Sequence, residues 1–126
     1  MLASVGELNY VIVLCDDMDR MKAFYRALFS FPIKSETATS LVFDAGRLLL
    51  ALRKRTRDFD GHGGGAASPG VQLAFLVARV EVDQCYEELV ELGVEILAPP
   101  TDQPWGHRTV YFSDPEGNIL EVYAEI

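Results

Sequence analysis

The hydrophobic pattern of the chain changes its period several times, and each change predicts a change of secondary structure. Leu8 to Leu14 is rich in β-branched and apolar residues, which predicts a strand, and the following Asp16 and Asp17 can cap a helix. In that helix apolar residues recur at intervals of three and four, with charged residues opposite. Pro32 requires the helix to end near Ser30. The apolar positions are Met18, Met21, Phe24 or Tyr25, and Leu28; the charged ones are Asp19, Arg20, Lys22 and Arg26.

Three short strands are predicted after this helix. They cover residues 33–36, 40–44 and 47–53, and Asp44-Ala45-Gly46 forms a tight turn between the last two. The first half of the chain is therefore predicted as a strand, a helix and three further strands.

Residues 54–70 lose this periodicity and contain the glycine-rich run 61–65, which favours a flexible linker between two halves. The basic cluster from Arg53 to Arg57 is isolated in an acidic chain, and we interpret it as a strand end that runs into solvent. His62 lies in the glycine-rich run without the features of a phosphate-binding loop, so we expect it to be exposed.

The same order of elements then begins again. Val71 to Val77 is predicted as a strand and Val82 to Leu92 as a helix that ends at Gly93. The side chains of this helix expected to face inward are Cys85, Leu89 and Leu92. The prolines between Ala98 and Trp105 predict an irregular loop before the final strands.

The two halves align as an internal repeat. A shift of 62 places Tyr10 on Gln72, and a shift of 71 places the strand after Gly46 on the strand after Gly117, with Leu50 on Glu121. We therefore predict an α+β fold of two tandem βαβββ modules, at residues 7–53 and 71–126, within a single domain 1–126.

Alternation along the strands predicts which side chains share a face. Leu120 and Val122 are apolar and should pack against helices, which turns Glu121 to the other face of the sheet. The same parity assigns a common lining in four predicted strands: Tyr10, Ile12, Leu14, Gln72, Ala74, His107, Thr109, Tyr111, Ile119, Glu121 and Tyr123.

Composition narrows the classes of function. A formal charge of −8 opposes binding to nucleic acid and to anionic membrane surfaces. The start of the chain does not read as a signal peptide, so we expect a cytoplasmic protein. Cys15 and Cys85 lack metal-binding or redox spacing, which favours reduced, packed thiols.

The C-terminal run from Gly106 to Glu121 carries a family resemblance. Its Asp-Pro-Glu-Gly sequence at residues 114–117 suits a type I turn. The run resembles the strand–DPxGN–strand–Glu signature of the vicinal oxygen chelate superfamily, which contains glyoxalases, bleomycin-resistance proteins and extradiol dioxygenases. The opening strand and Phe24-Tyr-Arg-Ala-Leu28 are similar to the start of those proteins, although Ser30 stands where they usually have Gly.

This resemblance implies an open eight-stranded cup in which four inward side chains hold a divalent metal. The repeat alignment assigns these positions to Tyr10, Leu50, Gln72 and Glu121. Leucine cannot ligate a metal and a tyrosine phenol is a rare ligand, whereas a catalytic metal usually needs at least three protein ligands. We therefore expect no bound metal and no other cofactor.

Our leading hypothesis is a metal-independent member of this superfamily that binds a small aromatic or polycyclic molecule, by sequestration or by simple acid–base chemistry. Trp105 lies in a Pro-Trp-Gly-His-Arg run that resembles the rim of bleomycin-resistance-like proteins. The candidate proton-transfer residues are His107 and Glu121. The candidate ligand-binding residues are Tyr10, Leu50, Gln72, Trp105, Thr109 and Tyr111.

Two alternatives remain open at the level of sequence. One is a metal-dependent lyase, isomerase or dioxygenase with an atypical site, and the other is an accessory interaction domain without a ligand. In each case we expect a homodimer, because one short helix in each half leaves sheet edges and apolar side chains uncovered.

Overall fold

The computed structural model describes residues 1–63 and 70–126. The chain forms two compact units, Met1–Gly63 and Gly64–Ile126. Part of the predicted linker, including Gly64 and Gly65, lies outside the described residues. The elements of the first unit are β1 (Tyr10–Cys15), α1 (Met18–Leu28), β2 (Ile33–Thr37), β3 (Ser40–Asp44), β4 (Leu49–Lys54) and a 3₁₀ helix (Asp58–Asp60); those of the second unit are β5 (Gln72–Leu76), α2 (Glu81–Glu91), β6 (Glu95–Asp102), β7 (His107–Ser113) and β8 (Ile119–Glu125).

The two units repeat one sheet topology. The first sheet has the strand order β1-β4-β3-β2 and the second has the equivalent order β5-β8-β7-β6. In each sheet the first strand runs parallel to the last, and the other neighbours are antiparallel. The predicted α+β fold of two tandem βαβββ modules is confirmed.

Helix α1 follows the predicted stripe with one exception. Asp17 caps it by accepting a hydrogen bond from the Arg20 backbone N–H at 3.1 Å. Its buried apolar side chains are Met18, Met21 and Tyr25. Lys22, expected on the solvent face, is buried instead: its ammonium donates to Glu36 at 3.1 Å and to the Thr37 carbonyl at 2.6 Å. The long aliphatic stem crosses apolar surface while its charge reaches strand β2.

Helix α2 buries Val82 and Leu89. The expectation that Leu92 faces inward was wrong, because this residue is the C-cap and is 55% exposed. The chain leaves the helix at this point, and Gly93 adopts φ +72°, as its predicted role at the helix end requires.

Strand β6 contains the prolines that had predicted an irregular loop. The strand continues to Asp102, through Pro99 and Pro100, so the loop prediction of Ala98 to Trp105 was wrong over most of its length. Two features explain this: β6 lies at the edge of its sheet, and its pairing with β7 is interrupted by register shifts on both sides of Ala98. A proline at an edge or bulge removes no hydrogen bond that the sheet needs.

The basic cluster after β4 is also more ordered than the sequence suggested. Arg53 forms two hydrogen bonds to the Asp60 carboxylate, at 2.9 and 2.8 Å. The same carboxylate accepts the backbone N–H groups of Thr56 and Arg57, at 2.8 and 2.9 Å. Arg55 donates to the Asp60 carbonyl. The interpretation of this cluster as a solvated strand end holds for Lys54 and Arg57, which are exposed, but was wrong for Arg53 and Arg55, which fold the chain around a buried Asp60.

Two further observations concern the cysteines and membrane-spanning helices. Cys15 is buried and Cys85 is half-buried, and neither forms a disulfide in the described part of the chain. Within residues 1–63 and 70–126, no helix is long and apolar enough to cross a membrane.

Asp60 gives a testable pH dependence. Hydrogen bonds from Arg53, and then from the Arg57 and Thr56 backbones, hold the pKa of this carboxyl far below its ordinary value of 3.8. Its contribution to stability is therefore present above pH 3.8 and declines as the pH falls below that value, because only the unfolded chain then takes up the proton. We expect Asp60→Asn to lower the urea midpoint at pH 7, with a smaller difference from the wild type at pH 3.

The exposed Asp58 in the same short helix provides the control. Asp58→Asn should leave both midpoints near those of the wild type. A difference between Asp60→Asn and the wild type that stays constant with pH would contradict the assigned ionic role.

Candidate functional site

The candidate site lies on one face of the second sheet. Residue pairing places Glu121 on β8 directly between Ala74 on β5 and Tyr111 on β7. Side chains of the opposite parity, such as Val110 and Leu120, are buried on the other face. We call the first surface the Glu121 face, and it comprises Gln72, Ala74, Leu76, His107, Thr109, Tyr111, Ile119, Glu121, Tyr123 and Glu125.

The Glu121 carboxylate is held by neutral groups. The residue is 8% exposed, and its Oε1 accepts a hydrogen bond from the Gln72 amide at 3.4 Å. Its second neighbour is the Tyr111 phenol, which is hydrogen-bonded to it. In the described part of the chain, no Lys, Arg or His lies within ion-pair distance of this carboxylate. Glu121 is therefore a nearly buried carboxylate without a counter-ion.

Tyr111 is held in its protonated form. Burial raises the pKa of its phenol, and the hydrogen bond and negative charge of Glu121 raise that pKa further, while a hydrogen bond with Thr109 acts in the opposite direction. A neutral phenol next to a carboxylate donates a hydrogen bond to it and keeps its proton. Tyr111 thus serves as a hydrogen-bond donor to Glu121.

A residue that the sequence did not single out extends this arrangement. The Gln103 amide donates to the Thr109 hydroxyl at 3.0 Å, and Thr109 is fully buried. Gln103 lies in the turn before β7, where its backbone N–H donates to the His107 carbonyl at 2.7 Å. We predicted this segment as irregular chain, and no spacing in the sequence pointed to a contact between Gln103 and Thr109.

His107 lies at the far end of the same face. It pairs with Glu125, and its ring centroid lies 4.7 Å from that of Tyr123. Four residues along β7 separate it from Tyr111, the partner of Glu121, which corresponds to about 13 Å at the usual rise of a strand. The register therefore places His107 and Glu121 at separate points of the face, and their role in proton transfer stays a prediction.

Trp105 lies in the tight turn between β6 and β7. The Gly106 backbone N–H donates to the Gln103 carbonyl at 3.1 Å, and Gly106 adopts φ +88°. Trp105 is 59% exposed at this turn. Its indole is accessible beside the end of β7 that carries His107.

The first unit contains the other two predicted site residues. Tyr10 is exposed, and it pairs with Leu49, whereas Leu50 pairs with Val11. Leu50 therefore has the parity of Val11 and not of Tyr10, and it is 5% exposed. The assignment of Leu50 to the ligand-binding face was wrong.

The error arose from aligning the glycines of two turns. Tyr10 pairs with Leu49 as Gln72 pairs with Ile119, so β4 matches β8 with a shift of 70. The chain from Asp44 to its partner Leu49 is one residue shorter than the chain from Ser113 to its partner Ile119. Because strand faces alternate, this one residue moves the counterpart of Glu121 from Leu50 to Ala51.

The donor set does not fit a catalytic metal. At the four equivalent positions, Gln72 and Glu121 offer oxygen donors, Tyr10 offers a phenol and Ala51 offers none. Over residues 1–63 and 70–126, no three His, Cys, Asp or Glu side chains lie close enough together to hold a metal ion. No step of chemistry is therefore assigned to a metal.

The sequence pattern of the Glyoxalase/Bleomycin resistance protein/Dioxygenase superfamily matches residues 7–122. The chain is 26% identical over 121 residues to the metallothiol transferase FosB of Lysinibacillus sphaericus, with coverage of 96% of this chain and 84% of that protein. It is 30% identical over 125 residues to the uncharacterised protein YraH of Bacillus subtilis, with coverage of 93% and 97%.

A solved structure supports the same relationship. A glyoxalase/bleomycin resistance protein/dioxygenase from Nocardioides superimposes with a TM-score of 0.85 and 25% identity, covering 98% of this chain and 86% of that one.

The assignment of faces in the first unit can be tested with a pair of substitutions. Leu50→Glu places a carboxylate in the core and should lower the free energy of unfolding by about 4 kcal/mol or more. Ile12 is 49% exposed in the single chain and has the parity of Tyr10, so Ile12→Glu should change stability by about 0.5 kcal/mol or less when unfolding is measured at a protein concentration too low for association. Urea denaturation of both variants measures the contrast, and equal losses would contradict the register.

Proposed function

Because the chain belongs to the Glyoxalase/Bleomycin resistance protein/Dioxygenase superfamily, we propose that it binds a small molecule on the Glu121 face without the help of a metal ion. One observation carries the proposal. Glu121 is 8% exposed, contacts two neutral donors, and has no basic side chain beside it in the described chain. A carboxylate in this state has acceptor capacity that a ligand can use.

The face opens to solvent over β5. Gln72, Ala74 and Leu76 on this edge strand are all exposed, whereas Thr109 on β7 is fully buried. A ligand therefore approaches Glu121 across β5, where the Gln72 amide can also hydrogen-bond to it. This approach gives Gln72 an orienting role.

Aromatic side chains favour a flat ligand. Tyr111 and Tyr123 flank Glu121 on the same face, and the Tyr123 ring lies against His107. Such rings offer apolar surface with polar edges, which suits aromatic or polycyclic molecules. Trp105, exposed on the adjoining turn, supplies a further ring near His107.

The site supports binding and, at most, simple proton transfer. Glu121 can accept a proton from a bound ligand, and Tyr111 is a neutral donor beside it. His107 is too distant along β7 to relay that proton directly. We therefore assign Glu121 and Tyr111 to ligand recognition and leave His107 to contacts at the far end of the face.

A metal-dependent enzyme is the second candidate. Its support is the relationship to FosB, which is named a metallothiol transferase, together with the adjacent oxygen donors of Gln72 and Glu121. Ala51 and Tyr10 argue against it, since neither is an ordinary metal ligand.

The two candidates differ in a measurable way. We expect the protein, after incubation with Zn²⁺ or Mn²⁺ and extensive dialysis, to retain far less than one ion per chain by elemental analysis. A screen of aromatic compounds by thermal shift should still yield ligands. For such a ligand, Glu121→Gln should weaken binding by about tenfold or more, because a charge-assisted hydrogen bond is lost.

Glu87→Gln is the matched control, since Glu87 is exposed on α2 of the same unit and lies outside the Glu121 face. It should bind like the wild type. Stoichiometric metal retained after dialysis would favour the second candidate, and equal weakening by both substitutions would remove Glu121 from the site.

We also propose that the chain is a homodimer. In the described chain, β1 pairs only with β4 and β5 pairs only with β8, and these edge strands expose Ile12 and Leu76. Exposed apolar side chains on a strand edge favour association with a second copy. Light scattering at micromolar concentration should give twice the 14.0 kDa chain mass. A mass near that of one chain would contradict the dimer.

A further inference from the structure

We propose that the Glu121 face selects ligands that carry a positive charge on nitrogen, such as a protonated or quaternary amine attached to an aromatic group. The inference rests on the proposed function and names the class of ligand. It is carried by the burial of Glu121 beside the uncharged Gln72 and Tyr111, with no basic side chain at ion-pair distance in the described chain, and by the distribution of charge in the second unit.

The hydrogen bonds form a chain with one direction. Gln103 donates to Thr109, and the Thr109 hydroxyl therefore keeps its own proton to donate to Tyr111. Tyr111 then donates to Glu121, and Gln72 donates from the other side at 3.4 Å. Each hydrogen bond in this series has its donor directed toward the Glu121 carboxylate. Glu121 is thus a hydrogen-bond acceptor, and a ligand that contacts its carboxylate must donate a hydrogen bond.

Neutral donors do not cancel the charge of a nearly buried carboxylate. Removing an ion from water is unfavourable unless an opposite charge replaces the lost solvation. No side chain in the described residues supplies that charge, because Arg108, on the opposite face, is engaged by Asp83 and Asp102 at 2.9 Å each. A cationic ligand supplies the missing partner, whereas an anionic ligand adds repulsion.

The wider charge distribution acts in the same direction. Residues 64–126 contain 11 Asp and Glu side chains but only two basic ones with a permanent charge, Arg79 and Arg108. This half therefore carries the negative charge of the whole chain. Apart from Tyr111 and Tyr123, the other ionisable side chains of the Glu121 face are Glu125 and His107, which pair with each other at its far end. The resulting field attracts cations toward the face.

The aromatic side chains reinforce this preference. Tyr111 lies directly opposite Glu121, and Tyr123 follows it two residues along β8. The face of an aromatic ring attracts a cation through its quadrupole, and the attraction is stronger where solvent is partly excluded. A carboxylate flanked by phenol rings is suited to an alkylammonium group.

The test uses three probes that share one ring system and differ in charge: 2-naphthylmethylamine, 2-naphthalenemethanol and 2-naphthoate. Dissociation constants are measured by NMR titration of the full chain at pH 7. We expect the amine to bind about tenfold more tightly than the alcohol, as one charge-assisted hydrogen bond implies, and the carboxylate to bind most weakly. Added salt should weaken the amine alone.

Variants assign the preference to Glu121. Glu121→Gln should abolish the advantage of the amine and leave the affinity for the alcohol within about threefold, while Glu87→Gln, which removes the same charge from the exposed side of α2, should retain the advantage. Tyr111→Phe removes a donor from Glu121 but leaves its charge, so the preference for the amine should persist. If Glu121→Gln does not fold, Tyr111→Phe and the salt dependence still decide the question.

The outcomes separate the two proposals. Equal binding of all three probes would overturn the charge selectivity and leave metal-independent binding intact. Binding of none would overturn both proposals. An advantage of the amine that survives Glu121→Gln would place the cation elsewhere and also contradict the inference.

Discussion

The arrangement of the candidate site depends on one turn, at residues 114–118. The buried Asp114 carboxylate accepts the backbone N–H groups of Glu116 and Asn118 and the Asn118 side-chain amide, at 2.9, 3.0 and 2.8 Å. Asn118 in turn accepts the Gly70 backbone N–H at 3.1 Å, which joins the turn to the chain that leads into β5. These bonds set the register of β7 and β8, and a slip of one residue would exchange the faces of every side chain on them.

That register produces both the stability and the chemistry of the second unit. Val110, Phe112, Leu120 and Val122 fall on the buried face, where they contribute to the core. The same alternation places Tyr111 beside Glu121 and brings Gln72 within 3.4 Å of it. The apolar face provides the free energy that lets the other face hold a carboxylate without a counter-ion. The site is thus a consequence of strand alternation around one well-fixed hairpin.

Most of the fold could be predicted from the sequence because its signals are local. Period-two and period-three-to-four patterns located strands and helices, and Gly93 and the Asp-Pro-Glu-Gly run marked a helix end and a turn. The parity of Glu121 followed from its apolar neighbours Leu120 and Val122. The failures were nonlocal. Leu50 was assigned to the wrong face because the two turns differ by one residue in length. The contact between Gln103 and Thr109 was missed because the prolines predicted a loop where the structure has a bulged edge strand.

Comparing the two modules shows how a shared fold can lose one kind of site and favour another. At equivalent places on the last strands, the second module has Glu121 and the first has Ala51, while Tyr10 stands where the second module has Gln72. A metal bound by four such positions would bring positive charge to the carboxylate and require donors from both modules. Ala51 and Tyr10 are poor metal ligands, so no metal ion is expected to supply positive charge beside Glu121. The hydrogen bonds that begin at Gln103 nevertheless leave Glu121 as an acceptor. Under the proposed function, the compensating positive charge comes from the bound molecule, since the surrounding unit is itself strongly acidic.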